Sequence, residues 1–580
     1  MSTERHTGRT QPAENTVWRH RSRVLIAVFA VGAVTLLWRA VDLQVLHSGF
    51  LSTQAEARQV RVADIPAHRG MILDRNGDPL AVSTPVDSVW ANPARLAEDM
   101  EAIQRLARVT GHDAQTLAQA VEARRDREFM YIRRHMTPDE AEVVTGLGIP
   151  SVYLQREYRR YYPMGEVAAH VLGFTNIDDS GQEGMELAFD DWLRGKSGSK
   201  RVIRDRLGRV VEDLGLVREP RPGRDLVLSI DRRVQYLAYR ELKAAVSEHN
   251  ARSGSLVILD AHTGEVLAMV NQPAFNPNNR ATLRTPYTRN RAVSDVFEPG
   301  SAIKPFIVAA AMDAGMVDKS SRIDTSPGWM RVQNDTIRDL RNYGELSLAG
   351  VLSHSSNVGA TRVAMSLSPE VLWSGLRGFG FGDVTASGFP GERSGNLTHF
   401  DRWQKIRQAT LAYGYGVSVT PLQLARAYAV LASGGVMRDV SFIRVDDPPP
   451  GMPVTDAGNA RALLGMLESV VTEGTGTRAA VPFYRVSGKT GTARKSGIGG
   501  YEEQRHVAVF AGTAPASDPR LVAVVVIDEP GGEHHAGGLV AAPVFSRVMS
   551  GALRLLDIAP DDVDGDKGRV AGTHLPGEPG

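Results

Sequence analysis

The chain has no cysteine in 580 residues, which excludes a disulfide framework, cysteine-ligated zinc and thiol catalysis together. Any nucleophile must be an oxygen or a nitrogen. It also has almost no charge excess: 67 lysines and arginines face 66 aspartates and glutamates, a net charge of +1, far too little to neutralise a phosphate backbone. Nucleic acid is not the expected partner. Internal repeats and long low-complexity tracts are missing, and only one apolar run approaches the length of a bilayer span. What the chain does have is length, which at roughly 150 residues per domain predicts about three or four domains.

The single apolar run, residues 24–38 (VLIAVFAVGAVTLLW), carries no charge, and 24–45 is 22 residues. At about 1.5 Å per residue that is ~33 Å of helix, enough for a ~30 Å hydrocarbon core if Arg39 reaches the interface. Arg5, Arg9, Arg19, Arg21 and Arg23 precede it, whereas Arg39 and Arg58 follow, so the bias predicts a cytoplasmic N-terminus. The expected layout is a cytoplasmic tail over 1–23, an anchor helix over 24–45 and an extracytoplasmic remainder. A cleaved signal peptide is the alternative. The apolar core, however, ends without a small-x-small site, and the nearest, at Ala55 and Ala57, lies too far downstream.

Residues 46–222 read as a mixed, charged pedestal ending at the turn-rich 219–223 (EPRPG). Beyond it, 226–230 alternates like a strand, and Asp231 can cap a helix with Val234, Leu237, Ala238, Leu242 and Ala245 on one face. Two hairpins follow: 255–260 with 265–270 across AHTG, and 506–513 with 521–527 across ASDP, before a helical 541–556. Strands from both ends enclosing a helical middle predict a mixed α/β fold, an antiparallel sheet with packed helices, over 223–556. The tail, 557–580, is rich in Asp, Gly and Pro and is expected to be disordered.

The chemistry concentrates in residues 297–306 (FEPGSAIKPF), followed by a helical run. With Ser301 as N-cap, residues 302–305 form the first turn, Pro305 removes no needed donor, and Lys304 lies one turn along the same face. Ser301 as a mere cap with a surface Lys304 is the bland alternative, and residues 197–200 (SGSK) show how cheap the spacing is. Two further patterns follow in order: Ser355, Ser356 and Asn357 between two apolar segments, and Lys489, Thr490, Gly491 and Thr492 in a strand-like run. A second Ser-x-Asn, at 394–396, sits in a turn-like stretch.

Such residues suit acyl transfer. A serine hydroxyl needs an adjacent base, and lysine serves only when neutral, which burial and a neighbouring cation such as Lys489 favour. Ser355 can relay the proton to a leaving amine. Asn357 can bind a peptide amide, Lys489 with Thr490 and Thr492 can hold a carboxylate, and Gly491 permits close approach of a ligand backbone.

The ordered triple resembles the penicillin-binding proteins and serine β-lactamases. Residues 69–77 (RGMILDRNG), 160–165 (RYYPMG) and 182–186 (QEGME) resemble the N-terminal module of class B penicillin-binding proteins; 409–416 (ATLAYGYG) with 420–424 (TPLQL) is similar to the septal, division-specific members. The resemblance implies an α+β pedestal and a transpeptidase domain containing an all-helical subdomain. It implies a peptidoglycan D,D-transpeptidase inhibited by β-lactams, without metal or cofactor. Ser301 would be acylated, Lys304 and Ser355 would move protons, and Asn357, Lys489, Thr490, Gly491 and Thr492 would bind substrate. The N–H groups of Ser301 and Thr492 would form the oxyanion hole. Stem peptides ending in D-Ala-D-Ala would be donors and a stem amine the acceptor, at the inner membrane with the catalytic domain in the periplasm. With no glycosyltransferase motif in the pedestal, a separate membrane glycan polymerase and other division proteins would be partners. An elongation-specific transpeptidase, a β-lactam hydrolase or sensor, and a silent scaffold are the alternatives.

Overall fold

The computed structural model describes residues 14–46, 60–204, 210–279, 281, 284–497 and 500–563. Two compact units emerge. One holds residues 1–66 and 197–221. Its helix Glu14–Val41, prolonged by a π-helical turn Asp42–Leu46, starts ten residues ahead of the expected span. The stretch Trp18–Leu46 is long and apolar enough to cross a membrane, and none of it is buried. The same unit contains an antiparallel three-stranded sheet, Val60–Ile65, Gly198–Arg204 and Val210–Arg218. The SGSK run at 197–200 leads into a strand, so no helix follows Ser197. Ala55 and Ala57 lie outside the described residues.

The second unit holds residues 67–196 and 222–580. In its first part the strands Pro79–Ala91, Met130–Met136 and Val152–Tyr161 pair antiparallel. The helix Met100–Thr110, capped by Asp99 and stopped at Gly111 with φ 71°, joins Ala114–Glu122 and Pro138–Gly146 in packing Ile103, Leu106, Leu117, Val121 and Val144 against Val89 and Ile132. Residues from the three quoted pedestal segments meet in one buried ion cluster. Arg69 lies 2.7 Å from both Glu186 and Asp190, and Arg160 2.6 Å from Glu186.

The expected strand 226–230 is shorter. Leu226–Val227 pairs parallel to Ile72–Leu73, and Leu228 adds a single antiparallel bridge to Ile443 before the chain turns into a helix. That helix, α1 (Arg232–Glu248), begins at the Asp231 carboxylate, which accepts from the Arg233 and Val234 N–H groups. A five-stranded antiparallel sheet follows, built from β1 (Ser253–Asp260), β2 (Val266–Gln272), β3 (Ser487–Gly497), β4 (Gly500–Ala514) and β5 (Leu521–Asp528). Its order is β2-β1-β5-β4-β3, so both hairpins form and β5 joins β1 across the domain.

Strand alternation divides the core. Leu256 and Ile258 pack toward α1 and the C-terminal helix Ala542–Leu555, whereas Val257 and Leu259 face the helical middle. Packing contacts continue past the limit expected at 556. Tyr484 Oη donates to the Ile558 carbonyl at 2.6 Å, and the Asp561 carboxylate accepts from Arg485 N and Ser517 Oγ, each at 2.8 Å. These contacts pin the chain as far as Asp561, and residues 564–580 lie outside the described ones.

Candidate active site

The helix carrying Lys304 is α2 (Lys304–Asp313), preceded by a 3-10 turn Gly300–Ile303 that carries Ser301. Ser301 is therefore not the N-cap expected from the sequence. Gly300 has φ 54°, and a Cβ there would stand 2.9 Å from the Thr492 carbonyl oxygen; the turn is pressed onto β3, and α-helical register starts only at Lys304. Pro305 still falls in the first turn, where no N–H is required.

Between the helices α3 (Leu348–Ser353) and α4 (Asn357–Met365), Ser355 takes φ 56°. That left-handed residue bends the chain so that its carbonyl, its hydroxyl and the Asn357 amide converge. Lys304 Nζ donates to Ser355 O at 2.5 Å, Asn357 Oδ1 at 2.9 Å and Ser355 Oγ at 3.3 Å. From the sheet side, Lys489 Nζ donates to Ser355 Oγ at 3.1 Å and to the Thr490 carbonyl at 3.1 Å. Two fully buried lysines thus share one hydroxyl.

Burial, and after it the charge of Lys489, holds the Lys304 amine well below its ordinary pKa, with Asp339 pulling the other way. Burial alone brings Lys489 down to about 7. Ser301, Ser355, Asn357, Thr490 and Thr492 line one cleft of about 680 Å³. The hydrogen bonds of Lys304 go to Ser355 and Asn357 rather than to Ser301. Apo catalytic contacts are often long before substrate closes them.

Gly491 also serves the packing of the site. A Cβ there would lie 2.5 Å from the Pro299 carbonyl oxygen, so its missing side chain admits the turn that carries Ser301. Thr492 Oγ1 accepts from Gly537 N at 3.0 Å, and Thr490 Oγ1 pairs with Thr475 Oγ1 at 2.7 Å. The second Ser-x-Asn is elsewhere, with Asn396 lining a separate 450 Å³ cavity.

Sequence reasoning missed Asp339, an acid outside any motif. Its carboxylate accepts from Ser356 Oγ and Asn357 N, both at 2.5 Å, and from Val358 N at 3.1 Å, so it caps α4 and fixes the Ser355–Asn357 loop. His354 and His535 also line the cleft. Among the described residues no three His, Cys, Asp or Glu side chains gather as a metal site.

Comparison with known proteins sets this geometry in a family. The penicillin binding protein transpeptidase domain matches residues 254–550, and the penicillin-binding protein dimerisation domain matches 64–228. The chain is 42% identical over 555 residues to the peptidoglycan D,D-transpeptidase FtsI of Escherichia coli, covering 94% of each. It is 41% identical over 545 residues to the probable peptidoglycan D,D-transpeptidase PbpC of Pseudomonas aeruginosa, covering 94% of this chain and 96% of the relative. Among solved structures, the apo transpeptidase domain of Burkholderia pseudomallei penicillin-binding protein 3 is 42% identical, with TM-score 0.54 over 58% of this chain and 97% of that one. A peptidoglycan synthetase from Bifidobacterium adolescentis shares the fold at 24% identity, with TM-score 0.70 over 87% of this chain and 98% of its own.

Proposed function

This chain belongs to the class B penicillin-binding proteins and is a peptidoglycan D,D-transpeptidase, and we propose that Ser301 is the residue it acylates. The observation that carries this assignment is the shared burial of Lys304 and Lys489 around Ser355 Oγ. Two ammonium groups so placed cannot both stay charged at little cost, so one amine is available as a base near neutral pH.

In the proposed reaction the donor's terminal carboxylate lies between Lys489, Thr490 and Thr492. An anion there favours the charge on Lys489, and that charge disfavours one on Lys304. The neutral Lys304 amine takes the Ser301 proton as Oγ attacks the penultimate D-Ala carbonyl carbon. Negative charge develops on the carbonyl oxygen, facing the N–H groups of Ser301 and Thr492. The tetrahedral adduct collapses with cleavage of the C–N bond, and the departing D-Ala amine receives its proton from Lys304 through Ser355. A stem amine then attacks the ester, gives up its proton along the same route, and releases Ser301 with a new peptide cross-link.

The likeness to FtsI supports a septal role, with a separate membrane glycan polymerase and other division proteins as partners. The arginine bias before the apolar helix supports an inner-membrane anchor with a cytoplasmic N-terminus and a periplasmic cleft. Domain limits follow as 1–23, 24–45, 46–222 and 223–556, the last extended by the ordered start of the tail.

A fluorescent penicillin tests the assignment. A stable adduct is expected on Ser301, lost in both Ser301→Ala and Lys304→Ala. Label persisting in Ser301→Ala overturns the nucleophile, and rapid label loss in the unmodified protein turns the site into a hydrolase.

A further inference from the structure

The turn that carries Ser301 is gripped from two sides. On one side β3 closes on it, with Thr492 against Gly300 and Gly491 against Pro299. On the other side lies the segment 414–428. A Cβ on Gly414 would stand 2.1 Å from the Gly300 carbonyl oxygen, Gly416 N donates to Glu298 Oε1 at 2.7 Å, and Val419 exchanges backbone hydrogen bonds with Phe297 at 2.9 and 3.0 Å. The helix Pro421–Ala432 follows, and from it Tyr428 Oη donates to the Ala302 carbonyl at 2.9 Å. Both residues are buried, and the Phe306 ring of α2 meets the Tyr428 ring edge to face at 5.2 Å between centres.

The sequence explains why Ala302 takes a donor from so far away. A 3-10 ladder joins each carbonyl to the N–H three residues on, and an α ladder joins it to the N–H four residues on. Along this turn the 3-10 bonds run from Pro299 O, which accepts from Ala302 N at 3.2 Å, to Ser301 O, which accepts from Lys304 N. The next 3-10 donor, the one for Ala302 O, would be residue 305, a proline without an N–H. The α ladder begins at Ile303, the N-cap of α2, whose carbonyl accepts the first α bond. The Ala302 carbonyl therefore falls between the two ladders, and the Tyr428 hydroxyl supplies the donor that Pro305 lacks. Ser301 stands on the first ladder and Lys304 opens the second, so the proposed nucleophile and its base meet across this joint.

Resting on the proposed roles of Ser301 and Lys304, we infer that Tyr428 is a positioning residue for acyl transfer, its hydroxyl fixing the joint that sets the Ser301 side chain against the Lys304 amine. Tyr428 lies outside the cleft lining, and the groups proposed to hold the donor carboxylate are on β3. Loss of the hydroxyl is therefore felt in the chemical step and not in the binding that precedes it.

Acylation of the purified full chain in detergent by a fluorescent penicillin tests this, once its concentration dependence is resolved into a dissociation constant and an acylation rate constant. Tyr428→Phe keeps the ring and removes the hydroxyl. It is expected to lower the rate constant about tenfold, the order of one buried hydrogen bond, with the dissociation constant unchanged. Pro305→Ala returns an N–H that can serve the Ala302 carbonyl, so in that background the same Tyr428→Phe change is expected to cost less than about twofold. A hydroxyl needed only for packing would show no such rescue. An unchanged rate constant in Tyr428→Phe, a loss that lies in the dissociation constant, or the same tenfold loss in both backgrounds overturns the positioning role while leaving Ser301 acylation standing. If Tyr428→Phe unfolds with and without Pro305, the hydroxyl serves the core and not the joint, and the role is overturned likewise. An adduct that maps to a residue other than Ser301 in the unmodified protein overturns the reaction itself, and the positioning role with it.

Discussion

Among the described residues, two places bury lysines or arginines completely, and they treat them in opposite ways. In the pedestal, Arg69 and Arg160 close on Glu186, with Asp190 as a second anion for Arg69. Burial pulls Arg69 down, but Glu186 and Asp190 outweigh it and hold its pKa above the usual value. In the cleft, Lys304 and Lys489 are buried as deeply, yet they meet hydroxyls, carbonyls and an amide. The one carboxylate close by, Asp339, spends its hydrogen bonds on the α4 N-terminus. The desolvation penalty is common to both; the counterion decides whether the charge survives. The pedestal keeps its charges for architecture, and the cleft lets one go for chemistry.

The contrast breaks most directly by removing one group from each. Glu186→Gln leaves two arginines with too little negative charge between them and should cost about 3–5 kcal/mol, read as a large fall in the midpoint of thermal unfolding. Lys304→Met replaces a buried amine that has no bonded counterion with an apolar chain of similar length. Its unfolding midpoint should hold or rise, whereas acylation by penicillin should fall by roughly 10²–10⁴ for loss of the base. If Lys304→Met is destabilised as much as Glu186→Gln, the lysines are held by structure and not poised for reaction.

Asp339→Asn sharpens the comparison from within the cleft. Losing the carboxylate weakens the cap on α4 by about 0.5–2 kcal/mol and loosens the loop that positions Ser355 and Asn357. It also removes the field that draws the Lys304 pKa upward. Acylation should drop about tenfold if one charge-assisted contact is lost, and the acid limb of its pH profile should move to lower pH. An unmoved limb would mean that Asp339 does not act on Lys304.

What could be read from the sequence was local. Asp231 as a cap, the two hairpins and the ordered Ser301, Ser355 and Lys489 segments depend on residues within a few positions of one another. What could not be read depends on distant partners. The 3-10 turn at Ser301 is pressed against Thr492, nearly two hundred residues on, and Gly491 makes room for Pro299. Asp339 belongs to no spacing pattern, because it meets the Ser356–Val358 segment only once α3 and α4 have packed. The pedestal motifs were visible as strings, yet that Arg69, Arg160 and Glu186 form one cluster needed 117 residues of chain to fold back.

The smallest expected effect separates the two regions by the sign of their pH response. Asp179, whose backbone carbonyl accepts from Arg69 at 3.0 Å, has a buried carboxylate oxygen with no partner, and burial lifts its pKa from 3.8 to about 6. Between those values the native state holds more protons than the unfolded chain, so this group's contribution to stability falls as pH rises from about 4 to 6. Lys489 does the reverse. Its native value of about 7 lies below the ordinary 10.5, the unfolded chain binds more protons in between, and its contribution grows as pH rises through that window. Unfolding midpoints measured from pH 4 to 10 should therefore show Asp179→Asn removing a decline on the acid side and Lys489→Met removing a rise on the alkaline side, each a matter of a few degrees. Slopes of the same sign at both positions would mean that burial does not disfavour the charged form of both groups, because an acid and a base held neutral by desolvation must respond to pH with opposite signs.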